Sequence, residues 1–169
     1  MPLDSSGLRS LLDNFERSAF RLETHQTYTI PSEAESVTRF LAGEPKPEGL
    51  SRQWHERVRA NVAKGKTMQR AKLVKRPFTD YTLLLFEWSI PGNMAAGEDY
   101  RIVDVTDRMF DLPEQDFWIF DDSVVVTLNF NPDGTMRDRD LVDSADVSKY
   151  IHWRDVALTN SVPFSEYRT

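Results

Sequence analysis

The sequence predicts an α+β fold in which helices pack on a central, mixed and mostly antiparallel sheet. One observation is the stretch from Asp116 to Asp143, where apolar residues recur at every second position in successive runs. A second is the pair of turn sequences that separate the runs, Asp121-Asp122-Ser123 and Asn131-Pro132-Asp133-Gly134. We therefore expect two hairpins at the centre of the sheet. The length of 169 residues suits one globular domain, residues 1–169.

Helices are expected to cover both faces of this sheet. In the first hairpin, Phe117 and Ile119 point to one face, whereas Trp118 and Phe120 point to the other. Because both faces carry large apolar side chains, each needs a covering layer. Helical periodicity on both sides of the hairpins supplies candidates for it.

The first fifty residues predict two helices and an interrupted strand. Apolar residues from Leu8 to Ala19 repeat at spacings of three and four, which indicates an amphipathic helix from about residue 5 to residue 18. Residues 20–30 alternate as a strand, with a break at His25-Gln26. Ser32 with Glu35 has the form of a capping box and predicts a short helix ending at Leu41.

The middle of the chain predicts alternating helices and strands. Ser51 is expected to cap a helix that ends at Gly65, and a strand follows over residues 68–74. A second, mostly apolar helix begins near Thr79 and is expected to break or kink at Pro91-Gly92. Three further elements are expected: a loop or single turn over residues 93–97, a strand over residues 100–103, and a last helix capped by Ser144.

Charge is distributed unevenly along the chain. The net charge is −6, yet residues 52–76 hold nine basic residues and one acid, while residues 98–146 hold fourteen acids and four arginines. Such asymmetry favours contact with a charged partner, although a solvated helix face has the same pattern. We expect a basic surface for an acidic protein partner, formed by Arg52, Arg59, Lys66 and Arg70. A sequence pI of about 5.1 argues against direct nucleic-acid binding.

Several chemistries have no support in the sequence. Cysteine is absent, which excludes disulfides and thiol nucleophiles, and no serine lies in a GxSxG elbow. Neither a Walker A motif nor GxGxxG occurs, so we expect no nucleotide cofactor of those types and no metal. No apolar run is long enough to cross a bilayer, and we expect a cytoplasmic location with no membrane partner.

A strand that ends in Asp121-Asp122 is superficially similar to one in phospholipase D-like nucleases. That chemistry needs a histidine and a lysine two residues apart, with an acid beyond them. Here the residues two positions after the three histidines are Thr27, Arg57 and Arg154. We therefore expect at most a catalytically inactive relative.

One segment combines the features of a small-ligand pocket. Ala95, Ala96 and Gly97 permit close approach of the backbone, and two tryptophans could supply apolar walls. Alternatively, the indoles fill the core and the charged residues of the segment pair locally. The predicted pocket residues are Trp88, Asn93, Glu98, Tyr100, Arg101 and Trp118.

Several short sequence segments carry a family resemblance. Through them the chain resembles, over nearly its full length, an actinobacterial family of domains of unknown function that are often encoded beside helix-turn-helix regulators. The segments include Phe40-Leu41-Ala42-Gly43-Glu44-Pro45, Ala96-Gly97-Glu98-Asp99-Tyr100-Arg101 and Trp153-Arg154-Asp155. The resemblance implies a regulatory context and supplies no established catalytic residues to carry over. The leading hypothesis is a non-enzymatic module that acts with such a regulator through protein contact or ligand sensing.

Two other hypotheses stay open at this point. One is an enzyme of unrecognised type that uses Glu98 and Asp99 as an acid pair in a tryptophan-lined pocket. The other is a direct nucleic-acid binder that uses residues 52–76. Self-association into a homodimer is a further partner hypothesis.

Overall fold

A mixed seven-stranded sheet forms the middle of the computed structural model, which describes residues 1–169. The strand order is β6-β5-β4-β1-β2-β3-β7. Strand β2 runs parallel to both β1 and β3, and all other neighbours are antiparallel. The predicted α+β class with a mostly antiparallel sheet is confirmed. The strands are β1 Ser18–Glu23, β2 Thr67–Val74, β3 Asp99–Asp104, β4 Asp116–Phe120, β5 Val124–Phe130, β6 Met136–Leu141 and β7 Val162–Pro163.

Helices cover both faces of the sheet. One face, which includes Phe20, Leu22 and Phe117, packs against Tyr150 and Ala157 of α6. The opposite face is covered by the remaining helices. Both faces are therefore buried, as the apolar residues on the two sides of β4 predicted. The helices are α1 Ser5–Asn14, α2 Ala34–Leu41, α3 Arg52–Ala63, α4 Asp80–Leu84, α5 Ile90–Ala96 and α6 Val147–Thr159.

The two predicted hairpins are present as β4-β5-β6, but they form one side of the sheet and not its centre. Strand β1 occupies the central position, between antiparallel β4 and parallel β2. Asp121 and Asp122 both adopt positive φ, 52° and 53°, in the first turn. The Asp121 carboxylate accepts hydrogen bonds from the backbone N–H groups of residues 16–18, which fixes the entry into β1 against the hairpin.

The largest local departure from the predictions lies between α4 and α5. The sequence predicts a break or kink at Pro91-Gly92 and then a loop or single turn over residues 93–97, whereas α5 includes Pro91 and extends to Ala96. The interruption comes earlier, as a π-helical turn over Leu85–Ser89. Proline is tolerated because it lies at the start of α5, where its missing N–H breaks no helical hydrogen bond. The widened turn displaces the helix where it crosses the sheet.

Two helix starts differ from the predicted caps. Ser51 adopts a left-handed conformation, with φ of 59°, and its side chain makes no capping hydrogen bond. Before α6, the side chain that accepts from the backbone is that of Asp143, and a short 3-10 turn over Ser144–Asp146 precedes the helix. Helices α2, α3 and α6 occur where periodicity predicted them, because their apolar faces pack on the sheet. Helix α1 ends at Asn14 and not near residue 18, since Ser18–Glu23 pairs as β1, and residues 28–30 form no strand.

Candidate functional site

Charged side chains line the middle of the sheet face that carries α3 and α5. The strand register aligns Trp118 of β4, Arg21 of β1, Arg70 of β2 and Tyr100 of β3 in one row. Side chains two residues apart on a strand share a face, so Glu23, Lys72 and Asp116 continue the pattern one row further on. This polar face separates two apolar clusters, one containing Trp118 and the other containing Tyr100.

Asp116 is the centre of a hydrogen-bond network on the β4 side of this polar face. The carboxylate is fully buried and accepts from Arg21 Nη2 at 2.8 Å and from the Tyr28 hydroxyl at 2.7 Å. Its other oxygen accepts from the backbone N–H and the hydroxyl of Thr24, at 2.8 and 2.7 Å. Burial, together with the neighbouring Asp116 charge, raises the pKa of Tyr28 well above its usual value. Asp116 thereby ties β4 to β1 and to the segment that follows β1.

Arg70 is the centre of a second network, on the β2 and β3 side of the polar face. Its Nε donates to Glu98 Oε1 at 2.6 Å, and its Nη1 donates to Glu23 Oε1. The guanidinium also lies over the rings of Trp54, Tyr100 and Trp118, at 5.3 to 5.9 Å from their centroids.

The Trp54 indole closes this arrangement by donating to the second oxygen of Glu98 at 3.0 Å. A planar cation is thus held in a fixed orientation by two carboxylates and three aromatic rings.

Lys72 and Glu23 form a buried ion pair. The environment lowers both pKa values, which favours the charged form of Glu23 and disfavours the charged form of Lys72. Burial alone would raise the pKa of Glu23, but the charges of Arg70, Lys72 and Arg21 outweigh it and lower the pKa to about 2. Lys72 is completely buried, and burial lowers its pKa although Glu23 lies 3.6 Å away. Its ammonium also donates to the carbonyl of His25 at 3.1 Å.

A cavity of about 690 Å³ opens above this face. Exposed residues from Ile30 to Ser32 lie at its edge, and Leu85, Ser89 and Asn93 line it from the π-helical turn and α5. The volume is in the range of small-molecule sites. The remaining lining residues that bear on its chemistry are Arg21, Glu23, Tyr28, Glu33, Trp54, Arg70, Tyr81, Tyr100, Trp118, Phe130 and Arg139.

The turn between β5 and β6 holds the edge of this cavity in place. The backbone N–H of Thr29 donates to the carbonyl of Gly134 at 2.9 Å, and its hydroxyl donates to the carbonyl of Asp133 at 2.6 Å. Gly134 has φ of 86°, and an added Cβ would lie 3.0 Å from the Thr29 nitrogen. Glycine is required at this position by both its backbone conformation and the close approach of the two segments.

Arg139 of β6 is the exception in a well-paired site. It lines the cavity, and its Nε is buried with no hydrogen-bond partner. Its row on the sheet continues through Leu128 to Asp116. A buried guanidinium nitrogen without an acceptor is costly, and the rest of this guanidinium also makes no hydrogen bond to the protein, so Arg139 is the least satisfied cation of the site.

The structure brings together only part of the predicted pocket. Asn93, Tyr100 and Trp118 line the cavity, and Glu98 bonds two residues that line it. Trp88 does not line it: its ring packs edge-on against Phe40, 5.3 Å away.

Arg101 also lies outside the predicted pocket. Its Nε donates to Ser161 Oγ at 2.7 Å, and it is on the sheet face opposite Tyr100 because successive strand residues alternate.

The proposed local charge pairs are also separated. Glu98 binds Arg70 and not Arg101, which instead lies 3.7 Å from Asp99. Asp99 accepts from Gln69, the neighbour of Arg70 on β2. Since Gln69 and Arg70 point to opposite faces, Glu98 and Asp99 do not converge as an acid pair.

The predicted basic surface is smaller than expected. Arg52 and Arg59 are exposed on α3 and, seven residues apart, share a face. Lys66 is partly buried, and its ammonium donates to the carbonyl of Phe15. Arg70 is only 14% exposed and belongs to the cavity, because the alternation of β2 directs it to the covered face of the sheet. Of the four predicted residues, only Arg52 and Arg59 are therefore exposed on the surface.

Sequence reasoning missed Arg21, Glu23, Lys72, Asp116 and Arg139 as site residues. The signal was a pair of charges two residues apart inside each of two apolar strands, Arg21-x-Glu23 and Arg70-x-Lys72. Charged residues at every second position of a strand share one face, and in a sheet covered on both sides they must find partners.

Other kinds of site find no support in the geometry. No three histidine or carboxylate side chains are arranged to hold a metal ion. None of the helices combines the length and apolar character needed to cross a membrane.

The family relationship follows from the sequence as a whole. The model of DUF6879, described as a domain of unknown function, matches residues 6–169. The chain belongs to the DUF6879 family. No protein of curated function matches this DUF6879 chain.

A solved structure shares the fold of this DUF6879 domain. It is the crystal structure of Nuc, a phospholipase D family member from Salmonella typhimurium, with a TM-score of 0.52 and 14% sequence identity. The match covers 95% of this chain and 88% of the Nuc chain. At this identity the similarity establishes the fold alone. None of the histidines in this DUF6879 chain is followed two residues later by lysine.

Proposed function

We propose that this domain is a non-enzymatic regulatory module that works with a helix-turn-helix transcriptional regulator and senses a small ligand. One observation carries the proposal: a cavity of about 690 Å³ whose wall includes the unpartnered Arg139. A concave site with aromatic walls and a few fixed polar groups is the usual form of a small-molecule site.

The state of the carboxylates supports a binding role over a catalytic one. A general base must lie within reach of the proton that it takes from the substrate, and the side chains of Asp116 and Glu98 are only 0% and 1% exposed. Both oxygens of Asp116 and of Glu98 already accept hydrogen bonds from the protein, and Glu23 lies between Arg70 and Lys72. The fold resembles that of Nuc, but the histidine and lysine that such chemistry needs do not occur two residues apart.

The regulator enters the proposal through sequence resemblance to domains that are often encoded beside helix-turn-helix proteins. Arg52 and Arg59 provide an exposed basic pair on α3 for an acidic surface of that partner. A transcriptional partner also places the domain in the cytoplasm.

We expect the purified domain to form a stoichiometric complex with a helix-turn-helix regulator from the same organism, as measured by size-exclusion chromatography with light scattering. Reversing both surface charges, Arg52→Glu with Arg59→Glu, should weaken this complex by about tenfold, or ~1.4 kcal/mol. The matched control reverses two exposed arginines elsewhere, Arg9→Glu with Arg108→Glu, and should leave the affinity unchanged. Absence of a complex at tens of micromolar protein would contradict the regulator role.

A further inference from the structure

We infer that the cavity takes a small molecule with an acidic group attached to a planar ring, and that Arg139 binds the acidic group. The inference rests on the proposed ligand-sensing function and names its ligand class. It follows from which hydrogen-bonding groups of the site are already used and which are free.

The acceptors of the site are almost all occupied. Asp116 and Glu98 accept hydrogen bonds at both oxygens, and Glu23 is held between two cations. Glu33 accepts from the Tyr81 hydroxyl at 2.9 Å, which leaves one of its oxygens free. A ligand that presents mainly donors, such as an ammonium or a guanidinium, would find few acceptors here.

The donors, in contrast, are incompletely used. Arg139 makes no side-chain hydrogen bond or ion pair, and its Nε is buried. Arg70 donates through Nε and Nη1, which leaves Nη2 without a protein partner. Arg21 donates through Nε and Nη2, which leaves Nη1. All three arginines line the same cavity. Unused guanidinium donors in a partly desolvated site select a carboxylate or a phosphate.

The remaining walls select a ring. Aromatic side chains lie on both sides of the buried charged residues Arg21, Glu23 and Arg70. Trp54 and Trp118 are on one side, and Tyr28, Tyr81 and Phe130 are on the other. The rings of Tyr28 and Phe130 are already packed edge to face, with centroids 5.0 Å apart. Flat apolar walls of this kind favour a planar ring over a flexible aliphatic chain, because less conformational freedom is lost on binding.

The test compares aromatic acids with an aromatic ammonium compound. Isothermal titration calorimetry with indole-3-acetate and with phenyl phosphate should show saturable binding of at least one of the two. Phenylacetate has the same phenyl ring as phenyl phosphate, and the tighter binder of these two shows whether the site prefers a carboxylate or a phosphate. Tryptamine, which joins the indole ring to an ammonium group, should bind at least tenfold more weakly than indole-3-acetate.

A variant ties the binding to Arg139. Arg139→Leu should weaken the bound acid by about tenfold, since it removes a charge-assisted hydrogen bond. Arg137→Leu, on the same strand but 59% exposed and paired with Asp138, should bind like wild type. The variant is expected to fold, because Arg139 makes no side-chain hydrogen bond to the protein. Circular dichroism checks this.

Three results would overturn the inference: tryptamine binding as tightly as the acids, equal affinity in Arg139→Leu and wild type, or no binding of either acid at millimolar concentration. These results differ from failure of the proposed function. If the acids bind but no regulator complex forms, the ligand class stands and the regulatory role fails. If the complex forms but neither acid binds, the module acts through protein contact alone.

Discussion

Replacing Asp116 by asparagine is expected to lower the free energy of unfolding by about 3–5 kcal/mol, the range for breaking one partner of a buried ion pair. The substitution preserves shape, so no cavity forms. It removes the charge that balances Arg21 and turns one carboxylate oxygen into a donor that faces other donors. The Tyr28 hydroxyl and the Thr24 N–H then compete for a single acceptor.

Urea unfolding at pH 7, followed by circular dichroism, measures this effect. Asp111→Asn is the matched control, because the Asp111 side chain is 80% exposed and contacts only His152. The control should change stability by less than about 0.5 kcal/mol. A loss below about 1 kcal/mol in Asp116→Asn would mean that the hydrogen bonds of Asp116 to Arg21, Tyr28 and Thr24 contribute little to stability.

Replacing Arg70 by methionine should destabilise the protein by a similar amount, about 3–5 kcal/mol at pH 7. Methionine fills part of the space between the aromatic rings but leaves Glu98 and Glu23 without their strongest cationic partner. The expected signature of this variant is a change in the direction of its pH dependence.

The sign follows from Glu23. In the wild type its pKa is about 2, below the value of 4.5 for a free glutamate, so its ionisation stabilises the fold above pH 4.5. That contribution, about 3 kcal/mol, is lost as the pH falls towards 2. Without Arg70 only Lys72 and Arg21 oppose burial, and we expect burial to outweigh them and raise the pKa of Glu23. The variant should then gain stability relative to wild type as the pH falls from 7 to 5.

Unfolding free energies measured at pH 7, 6 and 5 test this prediction. Arg101→Met is the control on the neighbouring strand, since Arg101 faces the other side of the sheet and binds Ser161. It should follow the wild-type profile. Parallel profiles for Arg70→Met and wild type would show that Arg70 does not set the ionisation of Glu23.

The fold was predictable where local pattern and turn chemistry agree. The alternation in β4 and β5 and the turn at Asp121-Asp122 identified the hairpins, and helical periodicity located α1, α3 and α6. The central position of β1 was not predictable, because its parallel partner β2 lies far along the chain. Local pattern does not specify which distant strands pair, nor their register.

The site was harder to predict for the same reason. Arg70 appeared to be one of nine basic residues in a charged stretch, and only the register of β1, β2 and β3 places it between Glu23 and Tyr100. Trp118 was predicted as an apolar wall of the pocket, and it lines the cavity. Trp88 was assigned to the wrong wall, since the π-helical turn before α5 directs Leu85 and Ser89 towards the cavity and Trp88 towards Phe40.

Native mass spectrometry of the tagged domain tests the proposed ligand-sensing regulatory role most directly. The domain is isolated without denaturation from the organism that produces it. The wild type should elute with a helix-turn-helix protein and carry the added mass of a small acidic molecule. The Arg139→Leu variant should keep the protein partner and lose that mass. If both wild type and variant elute at the mass of the bare chain, with neither partner nor ligand, the domain is not a ligand-sensing regulatory module.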